Sequence, residues 1–302
     1  MIIKNIGSRG VHFIFEEGDS PLGDLGVYLI KGDNRLYLCD TQLGPRCMDV
    51  IKEYIYKEGL SKKELVIFNT HSDWDHVWGN MAFEYSDIIG HKTCKERMEE
   101  IGEYDIKKYE GKFHKGDIKI KLPNITFEDK LTYEDDGVEF IYTPGHTICS
   151  AICFDKKDLV AFIGDMVEEP FPILQYHDLE RYIESLKFIK NLPAKTFLSA
   201  HSGEVDRETI DENIEYIKGA MVDNKGELGE RYEHNVKLVL VSEYEDKIKG
   251  KLGNKYNYET SKGDFLKRLA TKCNYQEAEG NIIGKTSYNE LKKAYKEYIE
   301  GL

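Results

Sequence analysis

The feature that most constrains this chain is an apolar run that ends abruptly in a cluster of metal-ligand side chains. Leu65-Val66-Ile67-Phe68-Asn69 is followed at once by Thr70-His71-Ser72-Asp73-Trp74-Asp75-His76. The first five residues suit a buried strand. The next seven bring two imidazoles and two carboxylates together. His71, Asp73, Asp75 and His76 cannot all face one point from a helix or a strand, so they require a loop. Loops at the ends of buried strands are where a rigid scaffold presents functional groups.

The same arrangement recurs. His146 in Thr143-Pro144-Gly145-His146-Thr147, Asp165 in Gly164-Asp165 and His201 in Ala200-His201-Ser202-Gly203 each follow an apolar run and adjoin a glycine. Strand ends with tight turns are the economical reading. A mixed set of nitrogen and oxygen donors suits zinc, iron or manganese.

Around these loops the chain alternates strands and helices. Val11 to Phe15, Gly26 to Ile30 and Leu36 to Asp40 predict an antiparallel meander. A helix is expected from Met48 to Tyr56, then the strand at 65–68, a short strand at 86–90 and a helix from Lys92 to Gly102. A second strand-rich stretch spans 118–162, and a helix capped by Asp178 carries Leu179, Tyr182, Ile183, Leu186 and Ile189 on one face. Cys149 and Cys153, four apart, are expected on one face of a strand, as core residues. Two halves of similar content fit an α/β architecture: an αββα four-layer sandwich, two mixed sheets face to face with helices outside. The expected division is a catalytic domain over 1–230 and a C-terminal extension over 231–302. That extension should contain a strand at Asn235 to Val241 and a terminal helix. Ser287-Tyr288-Asn289-Glu290 is a capping box for that helix, and Tyr288, Leu291, Tyr295 and Tyr298 share one face.

With these residues in place the chain resembles the metallo-β-lactamase superfamily, whose pattern is H-x-H-x-D-H followed by a His, an Asp and a His at strand ends. The resemblance covers about residues 10 to 220. It implies one ion held by His71, Asp73 and His146, a second held by Asp75, His76 and His201, and Asp165 bridging them. It implies two divalent ions, zinc first, with iron or manganese as alternatives. Asp75 then has a catalytic role beside its ligand role, and a water between the ions is the nucleophile. Asp40, closing an early strand, is expected to brace the ligand loops. Trp74, Tyr176 and His177 are candidates for lining the pocket or touching substrate. The departure is Asp73, where most members carry His. The flavodiiron branch also has a carboxylate there, but this chain shows no flavodoxin-like portion after His201. The ending His76-Val77-Trp78-Gly79-Asn80 is similar to the glyoxalase II-like branch, which hydrolyses thioesters.

Composition narrows the rest. A net charge of -13 argues against a polyanion binder, because phosphate backbones reward clustered Lys and Arg. No segment approaches the roughly 20 apolar residues of a membrane span, and the first residues lack a signal-peptide pattern, so a cytoplasmic location is expected. The six cysteines are scattered and read as free thiols. The expected function is a metal-dependent hydrolase acting on a small ester, thioester, lactone or phosphoester. A non-haem diiron oxidoreductase is the alternative, and a non-catalytic metal-binding sensor the third reading. The expected partner is a small-molecule substrate, with no nucleic acid and no membrane. The extension offers a surface for homo-oligomer formation.

Overall fold

The structure is a computed structural model that describes residues 1–16, 23–109, 111–221, 229–273 and 286–302. Its chain separates into two compact units. One comprises Met1–Pro172 with Glu180–Ile214, the other Ile173–Leu179 with Glu215–Leu302.

The first unit holds two sheets. The seven-stranded sheet runs in chain order from β1 to β7. Strands β1 (Ile2–Ile6), β2 (Gly10–Phe15), β3 (Leu25–Lys31) and β4 (Arg35–Cys39) form the antiparallel meander. Strands β5 (Glu64–Asn69), β6 (Asp87–His91) and β7 (Ile125–Phe127) then add in parallel. Parallel neighbours need crossovers, here α1 (Asp49–Lys57), the short α2 (Trp74–Val77) and α3 (Lys92–Tyr109). The six-stranded sheet contains β8 (Lys130–Tyr133), β9 (Val138–Tyr142), β10 (Ala151–Asp155), β11 (Val160–Gly164), β12 (Thr196–Ser199) and β13 (Gly203–Val205). Only β11 and β12 are parallel in it, joined through α4 (Leu179–Asn191). The helix α5 (Arg207–Met221) follows β13.

Side-chain alternation explains the layers. On β3, β4 and β5, Tyr28, Ile30, Tyr37, Cys39, Val66 and Phe68 point between the sheets. There they meet Val138, Phe140, Cys153, Val160, Phe162 and Leu198 from the second sheet. The intervening residues Val27, Leu29, Leu36, Leu38 and Ile67 pack on the other face with Met48, Ile51 and Ile55. Strands buried on both faces read as continuous apolar runs, as these do. The fold is the α/β four-layer sandwich that the sequence predicts.

This topology decides where the ligands go. β4 and β5 are parallel, so Asp40 and the 70–76 loop emerge from one end of the first sheet. β9, β11 and β12 share a direction, so His146, Asp165 and His201 emerge from one end of the second. Thr70 C=O accepts the Ala151 N–H at 2.8 Å, and Ala200 C=O accepts the Gly26 N–H at 2.7 Å, tying the two ends together. Sites in α/β folds form outside such carboxyl ends.

The second unit is helical. The apolar run predicts a strand at 235–241; these residues lie instead within α6 (Gly229–Leu252). An apolar run this short fits either element. Its buried residues Leu240, Val241, Tyr244 and Ile248 follow helical spacing and pack with Phe265, Leu266 and Leu269 of α7 (Tyr258–Cys273). Leu291, Tyr295 and Tyr298 of α8 (Tyr288–Glu300) complete this core, with Tyr295 stacked on Phe265 at 3.7 Å between centroids. The capping box is present: Ser287 Oγ accepts the Glu290 N–H and Glu290 Oε2 accepts the Ser287 N–H. No helix among the described residues is long and apolar enough to cross a membrane.

Candidate metal centre

Asp40 is the hub of the first loop. It sits just past β4 in the left-handed region, φ 64°, a conformation Asp tolerates better than most residues. Its Oδ1 accepts the Thr70 N–H at 2.8 Å and its Oδ2 accepts the Thr70 hydroxyl at 2.8 Å. The same Oδ2 lies 2.9 Å from His76 Nδ1. Thr70 Oγ1 in turn lies 2.9 Å from His71 Nδ1. With the hydroxyl hydrogen spent on Asp40, Oγ1 takes the Nδ1–H of His71. Both imidazoles therefore carry their hydrogen on Nδ1 and turn a lone pair outward on Nε2. Those two Nε2 atoms are buried and have no hydrogen-bond partner. Such second contacts are how a ligating His is oriented and its tautomer fixed.

The loop itself is held from beneath. Asn69 and Asn80 exchange amide hydrogen bonds of 3.0 and 2.8 Å, and Thr41 Oγ1 donates to Asn80 Oδ1 at 2.9 Å. All three side chains are buried, so this paired network is rigid where a half-satisfied one would be costly. Two glycines make room. A Cβ on Gly145 would strike the Tyr182 ring and the Met166 methyl, so this glycine answers to crowding. Gly164 combines φ +53° with an approach of 2.8 Å between its would-be Cβ and Thr70 Oγ1.

The donors then converge. Asp165 Oδ2 lies 3.7 Å from His71 Nε2, 3.2 Å from His76 Nε2, 3.7 Å from His146 Nε2 and 3.4 Å from His201 Nε2. On one side of it, Asp73 Oδ2 is 3.7 Å from His71 Nε2 and 3.6 Å from His146 Nε2. On the other, Asp75 Oδ2 is 3.7 Å from His76 Nε2 and 3.4 Å from His201 Nε2. Metal bonds of about 2.0–2.2 Å place neighbouring ligand atoms about 3.0–3.6 Å apart, which is the spacing found. Three sets, His71-Asp73-His146, His71-His76-Asp165 and Asp75-His76-His201, each suit one cation. All seven ligand candidates from the sequence meet here.

Electrostatics mark the same centre. Burial pushes His71 down, to about 4, with His76 adding to it. Burial also opposes protonation of His146, but the Asp73 and Asp165 carboxylates outweigh it and raise the group to about 9. His76 and His201 are raised against burial, chiefly by Asp165. Asp165 and Asp73 lie below the usual carboxylate range despite burial, held there by the surrounding imidazoles. Perturbed groups packed this closely mark a functional centre.

The pocket candidates divide differently. Trp74 stacks on Tyr109 at 4.4 Å and packs with Trp78 and Phe113 at 5.0 and 4.9 Å, an aromatic support behind the ligand loop. Tyr176 and His177 belong to the helical unit, where His177 Nδ1 lies 3.1 Å from Ser242 Oγ. Neither belongs to a group of metal-ligand side chains among the described residues. Cys149 lies before β10 and packs with Cys94 and Met98, whereas Cys153 lies in the inter-sheet core; the two do not share a face. The five described cysteines are free. Thr70, Asn80 and Glu168 are the contributors that sequence reasoning passed over. A hydroxyl between strand and first His was a readable signal for Thr70. Glu168, in a doubly acidic bend, had none.

Comparison with known proteins agrees with this geometry. The model of the Metallo-beta-lactamase superfamily matches residues 27–201. A protein of Methanocaldococcus jannaschii named a probable metallo-hydrolase is 29% identical over 170 residues, spanning 52% of this chain and 70% of that one. Among solved structures, the DIM-1 metallo-beta-lactamase superposes with a TM-score of 0.59 at 15% identity, over 72% of this chain and 97% of the enzyme. A metallo-beta-lactamase from Pontibacter korlensis gives 0.56 at 15% identity, over 72% of this chain and 98% of its own. These structural likenesses speak to the fold, whereas the family match spans more than half of the 302 residues and carries the ordered ligands: the chain belongs to the metallo-beta-lactamase superfamily.

Proposed function

We propose that the protein is a metal-dependent hydrolase with a two-ion centre, acting on a small ester, thioester, lactone or phosphoester. The observation that supports this most is Asp165 Oδ2, one carboxylate oxygen within 3.7 Å of four imidazole nitrogens. An oxygen so surrounded would be placed to serve two cations at once. When bound, two divalent ions supply an acidified water and an electrophile for a carbonyl or phosphoryl oxygen.

The chain's own residues do the positioning. Asp40 and Thr70 fix the tautomers of His76 and His71 before any ion arrives. Asp75 presents Oδ2 toward His76 and His201, and its second oxygen would accept a hydrogen bond from a water and orient it. Asp73 adds negative charge on the His71-His146 side and favours harder cations there.

The test is elemental analysis of protein purified without chelator, followed by assays on a panel of esters, thioesters, lactones and phosphoesters. Two ions and turnover that Asp165→Asn abolishes are expected. Two ions without turnover on any of the panel would point to the sensor reading instead. Asp73 lends weight to a second reading, a diiron oxidoreductase. Stoichiometric iron with an absorption spectrum that changes on reduction would favour it over the hydrolase.

A further inference from the structure

Glu168 is a carboxylate at this centre that the family pattern does not include. It follows Asp165 by three residues, in the bend after β11, and is only 7% exposed. One of its carboxylate oxygens lies within 4.8 Å of ligand atoms of both His146 and Asp165, and all three residues are buried. Its direction is fixed from the main chain. Asn213, fully buried on α5, accepts the Glu168 N–H at 3.0 Å and donates to the Glu168 carbonyl at 3.0 Å. This two-point clamp holds the main chain from which the Glu168 side chain reaches the centre.

A buried carboxylate beside others requires compensation. Asp165 is 6% exposed, and its Oδ1 has no hydrogen-bond partner. Carboxylates held this close are each stabilised by a cation placed between them. His146 faces Asp73, Asp165 and Glu168, and Arg97 adds its charge beside Asp73. A divalent ion on this side satisfies all three.

Resting on the two-ion reading above, we propose that Glu168 joins His71, Asp73, His146 and Asp165 as a ligand of the first ion. Two nitrogens and three carboxylates then select a hard, higher-coordinate ion such as Mn(II) or Fe(II) at that site. Zn(II), which is satisfied by four tetrahedral donors, gains less from the fifth.

The test is metal titration of the full chain after chelator treatment, with Mn(II) and with Zn(II), reading bound ions by elemental analysis. Wild type is expected to retain two ions of either metal. Glu168→Gln, which keeps the size and removes the charge, is expected to lose at least about tenfold in Mn(II) affinity at one site. Its Zn(II) affinity should fall less. Two Mn(II) ions bound by that variant with unchanged affinity would overturn the proposal while leaving the two-ion reading intact. Wild type that binds fewer than two ions of any metal would instead overturn the two-ion reading. Co(II)-loaded wild type gives an answer that does not depend on the variant folding. The very weak visible bands of a six-coordinate ion are expected for one equivalent, and five-coordinate or tetrahedral bands from both would sink the idea.

Discussion

Asp40 touches no candidate ion and still governs two of the ligands. It takes three hydrogen bonds, from the Thr70 amide, the Thr70 hydroxyl and His76 Nδ1. Asp40→Ala should therefore weaken metal binding by roughly 10–100-fold without removing a ligand, measurable by competition with a chromogenic chelator. A drop of less than twofold would show that the tautomers are set elsewhere. A second prediction concerns pH. His146 rises from 6.5 to about 9. In the metal-free protein its contribution to stability is then fully present below about 6.5 and lost as pH rises through about 9. His71, lowered to about 4, runs the other way: its contribution is present above 6.5 and lost as pH falls through about 4. The denaturation midpoint of metal-free protein should thus fall between pH 6.5 and 9 and fall again on acidification, and saturating metal should flatten the alkaline limb. A flat midpoint from pH 6.5 to 9 without metal would contradict this. At this scale the seven candidate ligands are legible because each stands at a strand end in a fixed order. Thr70 and Asn80 were less so, because a hydrogen-bond relay leaves no spacing rule in the chain. Glu168 was illegible, because its neighbour Glu169 makes the pair look like an ordinary solvated bend.

Elements show where packing, and not propensity, decides. The turn between β9 and β10 passes so close to α4 that Gly145 has no room for a methyl group against Tyr182 and Met166. Ser185 Oγ also donates to Pro144 C=O at 2.7 Å, fastening the turn to the same helix. Gly145→Ala should cost about 1–3 kcal/mol by overpacking and displace His146, so both the melting temperature and the metal content should drop. The terminal helix offers a contrast. Ser287→Ala removes one half of the capping box and should cost about 0.5–2 kcal/mol, read in the unfolding of the helical unit. Metal content should stay unchanged, because every ligand comes from the other unit. The strands of the sandwich were legible as continuous apolar runs, since both faces of each are covered. The element at 235–241 was not. Val236, Leu238 and Leu240 alternate with the period of a strand, but a buried stripe through Leu240, Tyr244 and Ile248 only becomes visible once α7 and α8 are there to receive it.

At the scale of the whole molecule, stability is expected to follow metal binding. Four aspartates or glutamates and four histidines face one another at the joined ends of two sheets, and with no cation the carboxylates rely on the imidazoles for compensation. Chelation should lower the unfolding temperature of the sandwich unit, and metal at 100 times its dissociation constant should return about 2.7 kcal/mol. Calorimetry with and without chelator measures this; identical traces would show that the sandwich stands without its metal. The division into units has a consequence of its own. The chain leaves the sandwich at 173, returns at 180 and leaves again after 214. The short excursion is built into the helical unit, with the Leu174 N–H on Asn235 Oδ1 at 3.1 Å. No single scission of the polypeptide can therefore separate the two units cleanly. A gene fragment ending at 214 would carry an orphaned stitch of seven residues in the connection between β11 and α4. Whatever the helices contribute, they are sewn into the enzyme's own thread and not merely hung from its end.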